Sequence, residues 1–235
     1  MTDNRCVIIC DSGAGGLRLL KMATEKFPAE NFLYFSDYEN LPYGDKTQNQ
    51  LIEIADSLYN KFMSFCPKLI VFACNTLSTA VGNRFCGRAV PTLGVLPDVG
   101  NGKGLLICTK ATARSDFVSS LKRRNKDLTV IEAVGLAESV EEYLISGKKV
   151  DLKRWLPRDL SGYEFVSLGC THYPYLTPQF KKLFPQSSIL SGEKEVLTKM
   201  QGRITTDNLE LFKGGVTFVG KDKKRLENVF KSVKI

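Results

Sequence analysis

The chain has 235 residues, 43% of them hydrophobic and 25% charged, and its 33 lysines and arginines against 25 acidic residues give a formal charge of +8. This balance excludes a disordered, collagen-like or coiled-coil chain, and no apolar run reaches the roughly 18 to 20 residues of a membrane helix. The basic residues are scattered and form no nucleic-acid motif, so no nucleic-acid partner is expected; a mildly basic surface suits a small anionic substrate.

The first strand is expected at residues 6–10. This run meets Asp11 too early for the apolar stretch of a signal peptide, which makes a cytoplasmic location the expectation. The cysteines agree: there are seven, an odd number at irregular spacings, as in a chain without a disulfide framework. After the strand, the loop Asp11-Ser-Gly-Ala-Gly-Gly16 leads into a helix over 15–26. Its glycines permit tight turning and close approach of backbone to an anion, Ser12 is placed to cap the helix, and Asp11 is either a helix cap or a functional carboxylate. The loop has neither the dinucleotide fingerprint nor the lysine of a phosphate loop, so a carboxylate is the more economical anion.

A second strand at 32–35 precedes the loop 36–44, in which Pro42 fixes φ, Tyr43 follows and Gly44 permits a turn. Over 47–65 the apolar residues Leu51, Ile54, Ala55, Leu58, Phe62 and Phe65 fall on one helical stripe. Strands at 69–72 and 92–95 come next, and the turn-rich segment 96–104 reads as the crossover between two halves. Beyond it lie strands at 105–108, 128–131, 165–168 and 216–219, with helices over 112–124, 136–146 and 221–232. The strand runs lack polar alternation, as strands covered on both faces do, and they alternate with helices. The expected class is α/β with right-handed crossovers. The segments 69–76 and 164–171 are alike, each an apolar strand, a small residue, then a cysteine and a nearby threonine. Two similar parallel-sheet domains facing a central cleft would explain the likeness, because open α/β sheets bind ligands at the carboxyl ends of their strands.

Cys74 and Cys170 each follow such a strand and precede an expected helix N-terminus, where the positive end of the helix dipole favours a thiolate. They are candidate nucleophiles or bases, with packing as small apolar residues the alternative. Cys6, Cys10, Cys66, Cys86 and Cys108 are assigned to packing. His172, the only histidine, stands two residues after Cys170 and is placed to exchange protons with it near neutral pH. A Cys-x-His spacing lacks the ligand gap of a structural zinc site, and no second histidine exists, so no metal is expected. Asn75, Thr76 and Thr171 supply uncharged donors beside the two thiols, or simply cap helices. No cofactor signature is present.

These pieces together resemble the glutamate racemases of the aspartate/glutamate racemase superfamily: D-S-G-A-G-G-L at 11–17, P-Y-G at 42–44, C-N-T at 74–76, P-T-L-G-V at 91–95, C-T-K-A-T-A-R-S at 108–115 and G-C-T-H-Y-P at 169–174. The resemblance implies cofactor-independent racemisation of glutamate between two thiols, with Cys74 and Cys170 as the acid/base pair, Asp11 supporting Cys74 and His172 supporting Cys170. It implies that Ser12, Pro42, Tyr43, Gly44, Asn75, Thr76, Thr112 and Thr171 bind the substrate. It further implies two α/β domains, 1–96 with 208–235 and 97–207, a homodimer in some relatives, and D-glutamate made for peptidoglycan. The chain departs from the pattern at 131–142, which lacks the Cys-Pro pair and following Val-Glu of many relatives, so no supporting glutamate is assigned there. It departs also at 37–41 and at Leu77, and the loops around 143–160 are expected to be trimmed. A racemase of aspartate or another acidic amino acid, and a non-catalytic homologue that binds an acidic ligand, are the alternatives.

Overall fold

A computed structural model describes residues 3–204, 214–220 and 222–235. The domain boundary expected at 207–208 and the expected helix start at residue 221 lie outside the described residues.

The first sheet is built from β1 (Val7–Asp11), β2 (Phe32–Ser36), β3 (Leu69–Phe72), β4 (Thr92–Gly94) and β9 (Val216–Val219), in the order β4-β3-β1-β2-β9. The second contains β5 (Gly104–Cys108), β6 (Leu128–Glu132), β7 (Phe165–Gly169) and β8 (Ser188–Leu190), in the order β6-β5-β7-β8. Every pairing in both sheets is parallel, with Val7 opposite Phe32 and Leu69 in the first and Gly104 opposite Leu128 and Phe165 in the second. The chain is thus an α/β protein with two parallel sheets, and its last strand pairs with β2 of the first sheet.

Side chains of a strand alternate between the two sheet faces, so a strand buried on both must be apolar throughout. Val7 and Ile9 enter one core with α1 (Leu17–Lys26), α8 (Glu193–Gln201) and α9 (Lys223–Ser232). Ile8 and Cys10 enter another with α2 (Gln48–Met63) and α3 (Asn75–Val81). In the second sheet Leu105, Ile107, Val166 and Leu168 pack against α6 (Leu136–Ser146) and α7 (Thr177–Leu183), while Leu106, Cys108 and Phe165 face α5 (Asp116–Arg124). Each such buried aliphatic or aromatic side chain contributes roughly 1.5 to 3 kcal/mol relative to exposure.

Three expectations are corrected. The helix expected over 112–124 is broken into α4 (Lys110–Ala113) and α5, because the Ser115 hydroxyl accepts from the Val118 N–H at 3.2 Å and starts a new helix. Phe65 lies past the end of α2 and is 37% exposed, whereas Leu51, Ala55, Leu58 and Phe62 are buried. Ser12 caps nothing: Gly16 is the N-cap of α1 and has no side chain to offer. Strand β8 and helices α3, α7 and α8 complete the elements beyond those read from periodicity. Among the described residues no helix is long and apolar enough to cross a membrane.

Candidate active site

The carboxyl ends of β1, β3 and β7 deliver Ser12, Cys74 and the Cys170 to His172 turn to one cavity of about 380 Å³. Pro42, Tyr43, Gly44, Thr76 and Thr171 also line it. Three expected site residues do not. Asn75 turns away, its Nδ2 donating to the Val95 carbonyl at 3.0 Å. Thr112 stands one step behind, its hydroxyl 3.2 Å from Thr76 Oγ1 and 3.0 Å from Thr109 Oγ1. With 2.9 Å between Thr76 and Thr109, the three hydroxyls form a buried ring that ties the start of α3 to the turn after β5. Asp11, fully buried, backs onto the cavity from the end of β1.

Asp11 Oδ1 accepts from the Gly13 N–H at 3.1 Å, while Oδ2 has no hydrogen-bond partner among the described residues. Thr171 Oγ1 is likewise buried and unpartnered. Burial pushes the Asp11 carboxyl up to about 6, against the lowering influence of His172, of the Gly13 N–H and of the Thr171 hydroxyl.

Cys74 occupies the N-cap of α3, yet the helix start does not hold it as a thiolate. Burial, then Asp11, then Cys170 push its thiol well above the ordinary value, outweighing the Thr76 and Leu77 backbone N–H groups. This corrects the expectation drawn from the helix dipole alone: desolvation wins. Cys170 is followed first by a short 3₁₀ turn, Tyr173–Leu176, with α7 only after it. What faces its sulfur is the histidine, with His172 Nδ1 at 3.7 Å.

The other imidazole nitrogen, Nε2, lies 2.6 Å from Glu141 Oε2. Burial disfavours a charge on His172, but Cys170 and Glu141 outweigh it and raise the imidazole well above its usual range. Burial alone would raise the Glu141 carboxyl; its hydrogen bonds from His172, Tyr38 and the Ala14 N–H bring it instead down to about 2. The Glu141 carboxyl and the His172 imidazole are thus in contact, each favouring the charged form of the other. Glu141 went unassigned in the sequence, although a signal exists. On the helix expected over 136–146, Ala137, Glu141 and Leu144 share a face, so one carboxylate interrupts an otherwise apolar stripe.

The glycines after β1 make the fit possible. A Cβ on Gly15 would stand 2.5 Å from Thr171 Oγ1 and 2.7 Å from the His172 ring, and one on Gly13 would meet the Glu141 carboxylate at 3.0 Å. The loop from the first sheet closes on the turn from the second only because these side chains are absent. Tyr34 holds the loop from beneath, its hydroxyl donating to the Gly13 carbonyl at 2.8 Å.

No protein-family model matches the chain. Among curated proteins, the glutamate racemase of Carboxydothermus hydrogenoformans is 30% identical over 236 residues, spanning 94% of this chain and 89% of the relative. Among solved structures, the glutamate racemase isoform RacE1 of Bacillus anthracis superposes with a TM-score of 0.81 at 24% identity, covering 97% of this chain and 92% of that one. The glutamate racemase of Thermus thermophilus, solved in complex with β-chloro-D-alanine, gives a TM-score of 0.76 at 26% identity and covers 98% and 93%. With this likeness along nearly its whole length, the chain belongs to the glutamate racemase family, a family of isomerases.

Proposed function

We propose that the protein interconverts L- and D-glutamate without a cofactor, Cys74 and Cys170 exchanging the α-proton from opposite sides of the substrate. The observation that carries this reading is that two thiols from different sheets, one after β3 and one after β7, line a single cavity, each with an ionisable partner.

In one direction Cys170 sulfur takes the α-proton. The Cα–H bond breaks, its electron pair spreads onto the α-carboxylate, and the protonated Cys74 delivers its hydrogen to the other face. Burial keeps Cys74 in the protonated form this step needs. In the reverse direction Cys74 must first lose that proton, and Asp11, held near 6, is the adjacent acceptor. His172, fixed by Glu141, plays the matching part at Cys170: its proton moves toward or away from sulfur as the thiol changes state. The hydroxyls of Ser12, Thr76 and Thr171 are offered to the substrate's carboxylates, where donors stabilise the charge that develops. Pro42, Tyr43 and Gly44 also line the cavity, the Tyr43 hydroxyl donating to Asp37 Oδ2 at 2.7 Å, so that Tyr43 acts through its ring and backbone. In this reading Asn75 and Thr112 serve the site indirectly, by holding the start of α3 and the Thr76 hydroxyl.

The proposal includes the two domains as 1–96 with 208–235 and 97–207, a cytoplasmic setting, and a supply of D-glutamate for peptidoglycan. Its test is polarimetric. Purified protein without pyridoxal phosphate should abolish the optical activity of L-glutamate and of D-glutamate, and leave both enantiomers of aspartate largely unchanged. A preference for aspartate would move the substrate assignment, and activity on no acidic amino acid would reject the reading.

A further inference from the structure

Glu141 collects donors from four separate segments. His172 Nε2 reaches Oε2 at 2.6 Å, the Ala14 N–H is shared between Oε2 at 3.0 Å and Oε1 at 3.3 Å, and the Tyr38 hydroxyl and Arg225 Nη2, the latter at 3.3 Å, reach Oε1. The Arg225 guanidinium also lies over the Tyr38 ring, 4.5 Å from its centroid. Arg225 belongs to α9, whose Leu226 and Val229 are anchored in the core of the first sheet, whereas Glu141 rides on α6 of the second. One side chain near the end of the chain thus grips the carboxylate that holds the only histidine.

A carboxylate bonded through one oxygen alone is free to turn about its terminal torsion, and the imidazole beyond it turns as well. Donors on the second oxygen remove that freedom. Arg225 supplies a charged one of these donors and, by stacking on Tyr38, orients another. Ionisable groups around the pair include Asp11 behind the loop after β1, Tyr34 beneath it, Cys170 beside His172, Glu138 and Glu142 on α6, and Asp222 near Arg225. None of the hydrogen bonds just described gives Glu141 Oε1 a cation other than Arg225.

We propose that Arg225 is a positioning residue: acting on Glu141 Oε1 directly and through Tyr38, it fixes the His172 imidazole against Cys170, so that the end of the chain governs proton transfer at the second thiol. This rests on the racemase reading of the site. Because the chain has a single histidine, imidazole proton resonances report on His172 alone and need no substrate. In the wild type a downfield Nε2–H proton, slow to exchange with water, is expected. In Arg225→Met that proton should exchange at least about tenfold faster, and kcat should fall about tenfold with KM within about twofold, the scale of one hydrogen bond to a charged group. Arg225→Lys, which restores a cation without the planar fork, should recover most of both effects. An unchanged imidazole signal in Arg225→Met would overturn the proposal, as would a rise in KM alone, which would make Arg225 a substrate contact. Wild-type protein with the slow proton but no racemisation would reject the racemase reading separately, with the imidazole exchange rates still deciding the linkage.

Discussion

Two carboxylates within one site titrate in opposite directions, and the contrast comes from what surrounds each. Glu141 is satisfied by four donors and sits at about 2; Asp11 is fully buried with fewer donors and sits at about 6. The consequences for stability have opposite signs. Glu141, lowered from 4.5, contributes stability that is fully present above pH 4.5 and is lost as pH falls toward 2. Asp11, raised from 3.8, binds its proton more tightly folded than unfolded, so relative stability is highest below 3.8 and is lost as pH rises through about 6. Asp11→Asn removes the second effect. In urea unfolding, the stability of the variant relative to wild type should increase by about 2 to 3 kcal/mol between about pH 4 and pH 7.5. A difference that stays constant over that interval would mean that Asp11 is not buried as a charge. At this scale the sequence was informative where chemistry is local: Cys74, Cys170 and His172 stand out by residue type and by their places after apolar runs. Glu141 was passed over because its partner lies 31 positions along the chain, so that its place on an apolar helical stripe was the one local sign of it.

Apolar patterning located the long elements well, since all eight strand runs read from it are strands and seven of them, β4 apart, place side chains in cores on both faces. It failed where a polar side chain, not hydrophobic period, decides the outcome. The break between α4 and α5 keeps the apolar spacing on either side, but Ser115 takes up the Val118 N–H and its own hydroxyl donates to the Thr112 carbonyl at 2.7 Å. Beside that bend, Thr109 and Thr112 both direct their hydroxyls at Thr76. Ser115→Ala should lower stability by about 1 kcal/mol, the usual cost of losing such a cap, read as a shift of the urea midpoint with an unchanged slope. No shift would show that the bend is imposed by packing. Strand β8 escaped notice because only two apolar residues, Ile189 and Leu190, stand between the serines at 188 and 191.

The molecule as a whole is two parallel sheets whose carboxyl ends meet at one cavity, closed by a glycine loop from one sheet and a histidine turn from the other. That convergence was suggested by the likeness of 69–76 to 164–171, both of which end in the cysteines that line the cavity. The grip of α9 on α6 through Arg225 was not legible, because nothing in a helical run of lysines and arginines distinguishes the one that turns inward. If both thiols serve one substrate carbon, a proton removed on one face is replaced from the other by a group already equilibrated with solvent. Following pure L-glutamate in deuterated water by proton NMR and chiral separation tests this most directly. At early times the D-glutamate formed should carry deuterium at Cα while the remaining L-glutamate keeps its proton. D-glutamate that retains the original proton, or deuterium accumulating first in unconverted L-glutamate, would mean that a single group works both faces and would contradict the two-thiol account.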